Sequence, residues 1–244
     1  MNGGANRDAF GAFLGEGLEQ PGAMEIIERD DGFVTVSPGQ QYFAPFRRWP
    51  ARQRSAMRYV RGRVLDVGCG AGRVALHLQE RGHEVVAIDA SPGAVEVSRR
   101  RGVADARLMR LADVRVSELG SFDTIVLLGN NFGLFESRER APALLGKLRR
   151  ISTAHGRIVA EALDPYTTED PVHLAYHARN RERGRMAGQL RLRVRHRDAA
   201  TPWFDYLFAS RDELRQLAEA GGWRVTRFIP ETGALYIAVL EPAA

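Results

Sequence analysis

Arg63-Val64-Leu65-Asp66-Val67-Gly68-Cys69-Gly70-Ala71-Gly72-Arg73 joins a short apolar strand to a glycine-rich turn and then to a helix. Val64, Leu65 and Val67 have the composition of a buried strand. From Ala71 to Arg81 the apolar residues Val74, Ala75, Leu76 and Leu78 return at the roughly 3.6-residue period of a helix. Gly68, Gly70 and Gly72 lack a Cβ and tolerate positive φ, so the main chain can come close to a ligand beside the N–H groups that open the helix. The stretch predicts an α/β sheet with a cofactor at its first strand-to-helix turn.

The Gly-x-Gly-x-Gly spacing differs from the Gly-x-Gly-x-x-Gly of dinucleotide turns, in which a pyrophosphate rests on the helix N-terminus. Glu84-Val85-Val86-Ala87-Ile88-Asp89 reads as a second apolar strand ending in an acid, and Ser91-Pro92 opens the next helix with a capping residue and a proline at N1. A carboxylate in that place accepts two hydroxyl hydrogen bonds at once, which suits a ribose diol. Leu111-Ala112-Asp113 closes a third strand led by Ala106 to Arg110. Phe122 to Asn130 reads as a fourth, opening onto Asn131-Phe132-Gly133, with Asp123 fixing its start and not touching ligand.

Over roughly residues 63 to 165 the chain resembles the class I S-adenosylmethionine-dependent methyltransferases, whose Asp-x-Gly-x-Gly-x-Gly is matched by Asp66, Gly68, Gly70 and Gly72. The resemblance implies a Rossmann-like α/β fold. It is a seven-stranded, mostly parallel sheet with an antiparallel last strand and helices on both faces, capped by an N-terminal extension and a β-hairpin-containing insertion. It implies S-adenosyl-L-methionine as cofactor and S-adenosyl-L-homocysteine as product. The cofactor would be held at Asp66, Gly68, Cys69, Gly70 and Gly72, at Asp89 with Ala90 for the ribose, and at Ala112 and Asp113 for the adenine. Gly129, Asn130 and Asn131 would complete the site. The implied reaction is in-line methyl transfer to a small molecule. Methyl transfer to RNA or protein, or cofactor binding without catalysis, are the alternatives.

A chain of 244 residues that is 44% hydrophobic can bury one substantial core, so one α/β domain is expected. Its parts would be an extension over residues 1–60, a cofactor-binding core over 61–165, a substrate cap over 166–209, and a return to the core over 210–244. No early apolar stretch has the flanks of a secretion signal and no apolar run approaches bilayer length, so a cytoplasmic protein without a membrane partner is expected. Cys69, the single cysteine, excludes an intramolecular disulfide, and with no clustered histidines no metal is expected. The net charge of +5 is almost entirely arginine spread through helices, with Lys147 the one lysine, which argues against a nucleic-acid partner. A monomer or homodimer acting on a small molecule, an acidic one included, is the expectation.

Residues 1 to about 20 read as a disordered start. Met24 to Glu28 and Phe33 to Val36 flank Asp30-Asp31-Gly32 as a hairpin, and the aromatic Tyr42, Phe43 and Trp49 serve either as a packing pad or as a cover for the cofactor. Helices are predicted over Pro50 to Val60 and Ala141 to Ile151, and a fifth strand over Gly156 to Asp164. Residues 165 to about 188 lack a strong period. Leu190, Leu192 and Val194 then alternate with Arg191, Arg193, Arg195 and Arg197 as a half-buried strand that Trp203 to Phe208 can pair with. Ser210 caps a last helix ended by Gly221-Gly222, and two strands, Trp223 to Ile229 and Ala234 to Leu240, complete the sheet.

Methyl transfer needs alignment, exclusion of water and, for some acceptors, removal of a proton. The Asn-Pro-Pro-Tyr type of motif that marks amine methylation in this superfamily is absent, since Asn130-Asn131-Phe132-Gly133 has neither proline. Leu163-Asp164-Pro165-Tyr166 only imitates it after the wrong strand. The polar segment Tyr166 to Met186 is therefore the candidate acceptor wall. In it His173, Tyr176 and His177 fall on one helical face, the candidates to orient or deprotonate the acceptor. Arg179, Arg181, Arg183 and Arg185 could clamp an acidic group.

Overall fold

The computed structural model describes residues 8–20, 22–230 and 232–243. Its elements in chain order are α1 (Ala9–Glu19), β1 (Met24–Arg29), β2 (Val34–Pro38), α2 (Ala51–Ala56), β3 (Val64–Val67), α3 (Arg73–Glu80), β4 (Val85–Asp89), α4 (Pro92–Arg100), β5 (Ala106–Leu108) and α5 (Val116–Leu119). There follow β6 (Phe122–Leu127), α6 (Ala141–Arg150), β7 (Ser152–Leu163), α7 (Pro171–Glu182), β8 (Gln189–His196), β9 (Ala199–Ala200), β10 (Phe204–Leu207), α8 (Arg211–Ala220), β11 (Trp223–Ile229) and β12 (Leu235–Pro242).

Seven strands form one sheet in the order β11-β12-β7-β6-β3-β4-β5. The β4–β5 and β6–β7 pairs are parallel, and β12 runs antiparallel to both β7 and β11. This is the mostly parallel, seven-stranded α/β sheet expected. Strands β3 and β4 are buried along their whole length, which is why they read as continuous apolar runs and not as alternation.

The second sheet has the order β10-β8-β1-β2 with β9 on β8. The N-terminal hairpin and the insertion were expected to build the cap, with no pairing between them specified. They join through an antiparallel β1–β8 pairing that sets Ile27 opposite Val194 and Glu28 opposite Arg193. Glu28 accepts from Arg193 at 2.9 Å and from Arg195 at 2.8 Å, so the arginine face of β8 answers an acid on β1.

By contacts the chain divides into two compact units: Met1–Trp49, Leu65–Leu111 and Arg191–Phe204 in one, and Pro50–Val64, Ala112–Leu190 and Asp205–Ala244 in the other. In the first, Phe13, Leu14, Ala23, Ala71, Ala94 and Val97 form a buried cluster against which Phe10, Leu18, Tyr42 and Phe43 pack. The second is centred on large buried side chains such as Phe122, Phe132, Phe135, Trp223 and Tyr236, with the Trp223 indole N–H donating to the Leu145 carbonyl at 3.0 Å.

Three local readings are corrected. The expected disordered start holds a helix, α1, from Ala9; the rest of that reading, residues 1–7, lies outside the described residues. Asp8 caps α1, and the helix buries Phe13 and Leu14 completely, so tertiary burial offsets its glycine-rich composition. The third strand stops at Leu108, and Leu111–Asp113 is a 3-10 turn. There the Lys147 ammonium donates to the Ala112 carbonyl. The segment without a period contains α7, capped by Asp170 with Pro171 at N1. Its buried residues are Tyr176, His177 and Asn180, so it has an inward face without an apolar stripe.

Candidate cofactor and acceptor sites

The glycine turn lies in the first unit. Gly68, Gly70 and Gly72 have φ of 71°, 55° and 75°, the left-handed region that L side chains avoid. A Cβ on Gly72 would stand 2.5 Å from a Val103 methyl, so only glycine lets α4 and its exit loop pack there. On Gly70 a Cβ would meet the Tyr42 ring at 3.4 Å, which places that aromatic over the turn. Tyr42 is itself edge-on to Phe10 and Phe13, with centroids 5.6 and 5.7 Å away, and its hydroxyl donates to Glu25 at 2.6 Å. Burial raises the Glu25 carboxyl above its ordinary range. Of the three N-terminal aromatics, Tyr42 therefore lies against the cofactor turn. Trp49 is buried, its indole N–H donating to the Ala44 carbonyl.

Four of the turn's N–H groups are engaged within the protein. Gly68 and Cys69 donate to the Ile88 carbonyl at 2.8 and 3.1 Å, Gly70 to Asp89 Oδ2 at 2.9 Å, and Gly72 to the Cys69 carbonyl at 2.8 Å. These bonds fix the turn's shape and leave its glycines open to close approach by a ligand. The Ser98 hydroxyl holds the Gly70 carbonyl at 2.8 Å and the Arg101 guanidinium holds that of Ala71, so α4 braces the turn from behind.

Two carboxyl groups face this region. Asp89 ends β4 with Oδ1 accepting from the Ser91 N–H at 2.9 Å and Oδ2 from Gly70, leaving further lone pairs on each oxygen. Burial raises its carboxyl above the usual range, and the nearby Asp8 charge adds to the effect. Asp66 is more deeply placed. Burial pushes it up to about 7, with the Arg73 charge acting in the opposite sense, and its Oδ2 is buried with no hydrogen-bond partner. An orphaned buried acceptor at the end of β3 is costly unless a ligand supplies a donor, and an ammonium-bearing cofactor does so. Cys69 is buried and its thiol is pushed well up by that burial, which makes it a packing residue and no nucleophile.

Sequence reasoning missed Asp8. Its Oδ1 accepts from Gly11 N–H at 3.0 Å and from the Ser91 hydroxyl at 2.7 Å, and its Oδ2 from Gly93 N–H at 2.8 Å. One carboxylate thus serves the N-termini of α1 and α4, favourable for a negative charge. The helices meet glycine to glycine, since a Cβ on Gly93 would lie 2.7 Å from the Gly11 Cα. The Asp-x-x-Gly start of α1 was the available signal.

In the second unit, the β6 strand runs out at Gly129 and Asn130, both left-handed with φ of 78° and 66°. Asn130 carries its own orphan, a buried Oδ1 without partner, while its carbonyl accepts from the Tyr206 hydroxyl at 2.8 Å. Gly133 is required there because a Cβ would fall 2.0 Å from the Tyr206 ring. Asn131 opens the 3-10 turn that follows. At the other end of β6, Asp123 accepts from the Arg63 N–H at 3.0 Å and the Thr153 hydroxyl at 3.1 Å, as expected of a residue that fixes the strand's start.

Of the acceptor candidates, Tyr176 and His177 are buried on α7, and His173 is half-buried one turn before His177. The Arg179 guanidinium lies 4.8 Å over the Tyr176 ring, which gives that arginine a packing role. Arg181 and Arg183 are exposed. The Tyr166 ring is 6.4 Å from that of His177, and its hydroxyl donates to Glu213 at 2.7 Å; burial and the Glu213 carboxylate push it up to about 12. Among the described residues no group of three or more His, Cys, Asp or Glu could hold a metal, and no helix is long and apolar enough to cross a membrane.

A family described as a methyltransferase domain matches residues 64–156. Among solved structures, an S-adenosylmethionine-dependent methyltransferase from Bacteroides fragilis in complex with S-adenosyl-L-homocysteine is 30% identical. That match has a TM-score of 0.82 and covers 98% of this chain and 97% of that one. Among curated relatives, the ubiquinone biosynthesis O-methyltransferase of Xanthomonas oryzae pv. oryzae is 37% identical over 71 residues, 27% of this chain and 30% of the relative. The magnesium-protoporphyrin O-methyltransferase of Rhodobacter capsulatus is 35% identical over 69 residues, 27% of this chain and 31% of the relative. The chain thus spans under a third of the length of the curated relatives it matches.

Proposed function

This chain belongs to the S-adenosylmethionine-dependent methyltransferases, and from that membership we propose that it transfers the methyl group of S-adenosyl-L-methionine to a small-molecule acceptor. The observation that carries the reading is the turn of three left-handed glycines, Gly68, Gly70 and Gly72, set between the orphaned Asp66 oxygen and the ribose-type acid Asp89. The curated relatives named for ubiquinone and magnesium-protoporphyrin support a small molecule as acceptor.

The cofactor, when bound, supplies a methyl group activated by a sulfonium, so the chain need form no covalent intermediate. Asp89 accepts from the ribose hydroxyls with the lone pairs that Gly70 and Ser91 leave open, and Ala90 continues that wall. Gly68, Cys69, Gly70 and Gly72 admit the ligand close to the main chain, and Asp66 accepts from its ammonium group. Tyr42 covers the turn and excludes water. Ala112 and Asp113 take the adenine, with Asp113 accepting from the exocyclic amine, and Gly129, Asn130 and Asn131 line the reacting end. His173, Tyr176 and His177 direct the acceptor or take its proton.

The test is incubation with methyl-labelled S-adenosylmethionine and an extract of the host cells, followed by separation by mass. Label in low-mass compounds supports the proposal. Label in RNA or protein overturns the small-molecule assignment, and binding of S-adenosylhomocysteine without any transfer leaves either an acceptor absent from the extract or a non-catalytic scaffold.

A further inference from the structure

Strand β7 is apolar through Ile158, Val159, Ala160, Ala162 and Leu163, yet places one acid, Glu161, among them at 1% exposure. Four donors meet this carboxylate. Arg52 Nε donates to Oε1 at 2.6 Å, and Gln53 Nε2 to Oε2 at 2.6 Å, both from α2. The main-chain N–H groups of Gly129 and Asn130 donate to Oε2 at 2.7 and 3.3 Å. Leu127 stands opposite Ala160 in the parallel β6–β7 pair, so Glu161 sits at the level where β6 gives way to the turn.

Successive backbone N–H groups in a turn can point toward one place and form an anion-binding concavity. Here the concavity at Gly129–Asn130 is filled by the protein's own carboxylate. A buried ion pair is weak evidence for stability, because an apolar side chain of similar volume packs at less desolvation cost. What the carboxylate does that an apolar residue could not is hold the turn. Asn130 is a non-glycine residue at positive φ, and such a conformation persists when its surroundings over-determine it. Its N–H is held by Glu161, and its carbonyl by the Tyr206 hydroxyl at 2.8 Å and the Gly133 N–H at 3.1 Å. The outer side of the turn is open, since a Cβ on Gly129 would meet nothing within 4 Å, and the Asn130 Oδ1 has no protein partner.

We propose that Glu161, clamped by Arg52 and Gln53, is a positioning residue that holds the Gly129–Asn130 turn in its left-handed form for the bound S-adenosyl ligand. The inference rests on the cofactor reading above. It makes the extension bearing α2 part of the ligand site's support, acting through one carboxylate and without itself touching the ligand.

The test compares Glu161→Gln with Asp123→Asn, which removes a carboxylate at the far end of the same strand, using S-adenosylhomocysteine as the probe. In Glu161→Gln an amide nitrogen opposes donors, and loss of charge-assisted hydrogen bonds should weaken calorimetric affinity by about tenfold or more. Amide hydrogen exchange at Gly129 and Asn130 should quicken by about the same factor. Asp123→Asn should lower the melting temperature while leaving affinity and those two amides within about twofold of wild type. A folded Glu161→Gln protein with wild-type affinity, or with a loss matched by Asp123→Asn, overturns the proposal. If Glu161→Gln does not fold, Gln53→Leu removes one donor, and an unchanged affinity there overturns it equally. A wild-type protein that binds no S-adenosylhomocysteine defeats the cofactor reading instead. Exchange at Gly129 and Asn130 then judges Glu161 alone, and equal rates in wild type and variant overturn its role.

Discussion

The Gly68–Gly72 turn and helix α7 carry the two halves of the proposed chemistry, and they are built in opposite ways. The turn is specified residue by residue: three left-handed glycines, an acid before them and an acid at the end of the next strand, with carbonyls braced by Ser98 and Arg101. Helix α7 is specified only at its start, by Asp170 and Pro171, and its inward face of Tyr176, His177 and Asn180 is polar. Asn180 uses its side-chain amide to hold the Ala187 and Gln189 carbonyls at 3.0 and 2.8 Å, which anchors the loop leading into β8. A binding site for one fixed cofactor admits little variation, whereas a wall that meets an acceptor is free to change while its caps and anchors keep the helix in place.

Mutation can break this contrast. The largest effect belongs to α7: replacing His173 by Ala, Tyr176 by Phe or His177 by Ala should lower methyl transfer by about 10²-fold in at least one variant, the scale of general acid–base catalysis. Affinity for S-adenosylhomocysteine should hold in all three. Full transfer activity in every variant would show that α7 is only a polar cap.

Next in size is the pH dependence that Asp66 imposes. Burial pushes its carboxyl up to about 7, above the ordinary value of 3.8, so on raising the pH the unfolded chain loses this proton first. The contribution of this group to stability is fully present below about pH 4 and lost by about pH 7, a change on the order of a few kcal/mol. Asp66→Asn should flatten that slope in denaturant titrations run across the range, and an unchanged slope would remove Asp66 as its source.

Asp89→Ala should weaken S-adenosylhomocysteine binding by ~1–3 kcal/mol, because the carboxylate proposed for the ribose hydroxyls, which also accepts from Gly70, is lost. Calorimetry returning wild-type affinity would undo the ribose assignment. The smallest effect is that of Asp8→Ala, which should cost about 0.5–2 kcal/mol as caps on α1 and α4 disappear. A melting temperature unchanged by this variant would mean that the two helices do not depend on their shared carboxylate.

Much of the turn was legible because its signals are local. Spacing of glycines, an acid at a strand end and Ser91-Pro92 at a helix start each express a φ preference or a hydrogen bond made within a few residues. The same holds for the capping box of Ser210 and Glu213. What the local signals did not show is that the N–H groups of Gly68, Cys69 and Gly70 are bonded to Ile88 and Asp89, partners that alignment of β3 with β4 brings in. Helix α1 was hidden by composition, since its glycines lower helix propensity while the burial of Phe13 and Leu14 against Ala94 and Val97 restores it.

By itself the sequence determined the α/β sheet, the glycine turn with its two acids and the places where helices begin, because periodicity and backbone preference act over short stretches of chain. Only the tertiary structure decided that β1 pairs with β8, that Asp8 serves two helices, and that Glu161 gathers α2 and the Gly129–Asn130 turn onto one carboxylate. These are contacts between residues far apart in sequence. Each side chain alone is an unremarkable acid or arginine, and register and burial choose its partner once the sheets have formed.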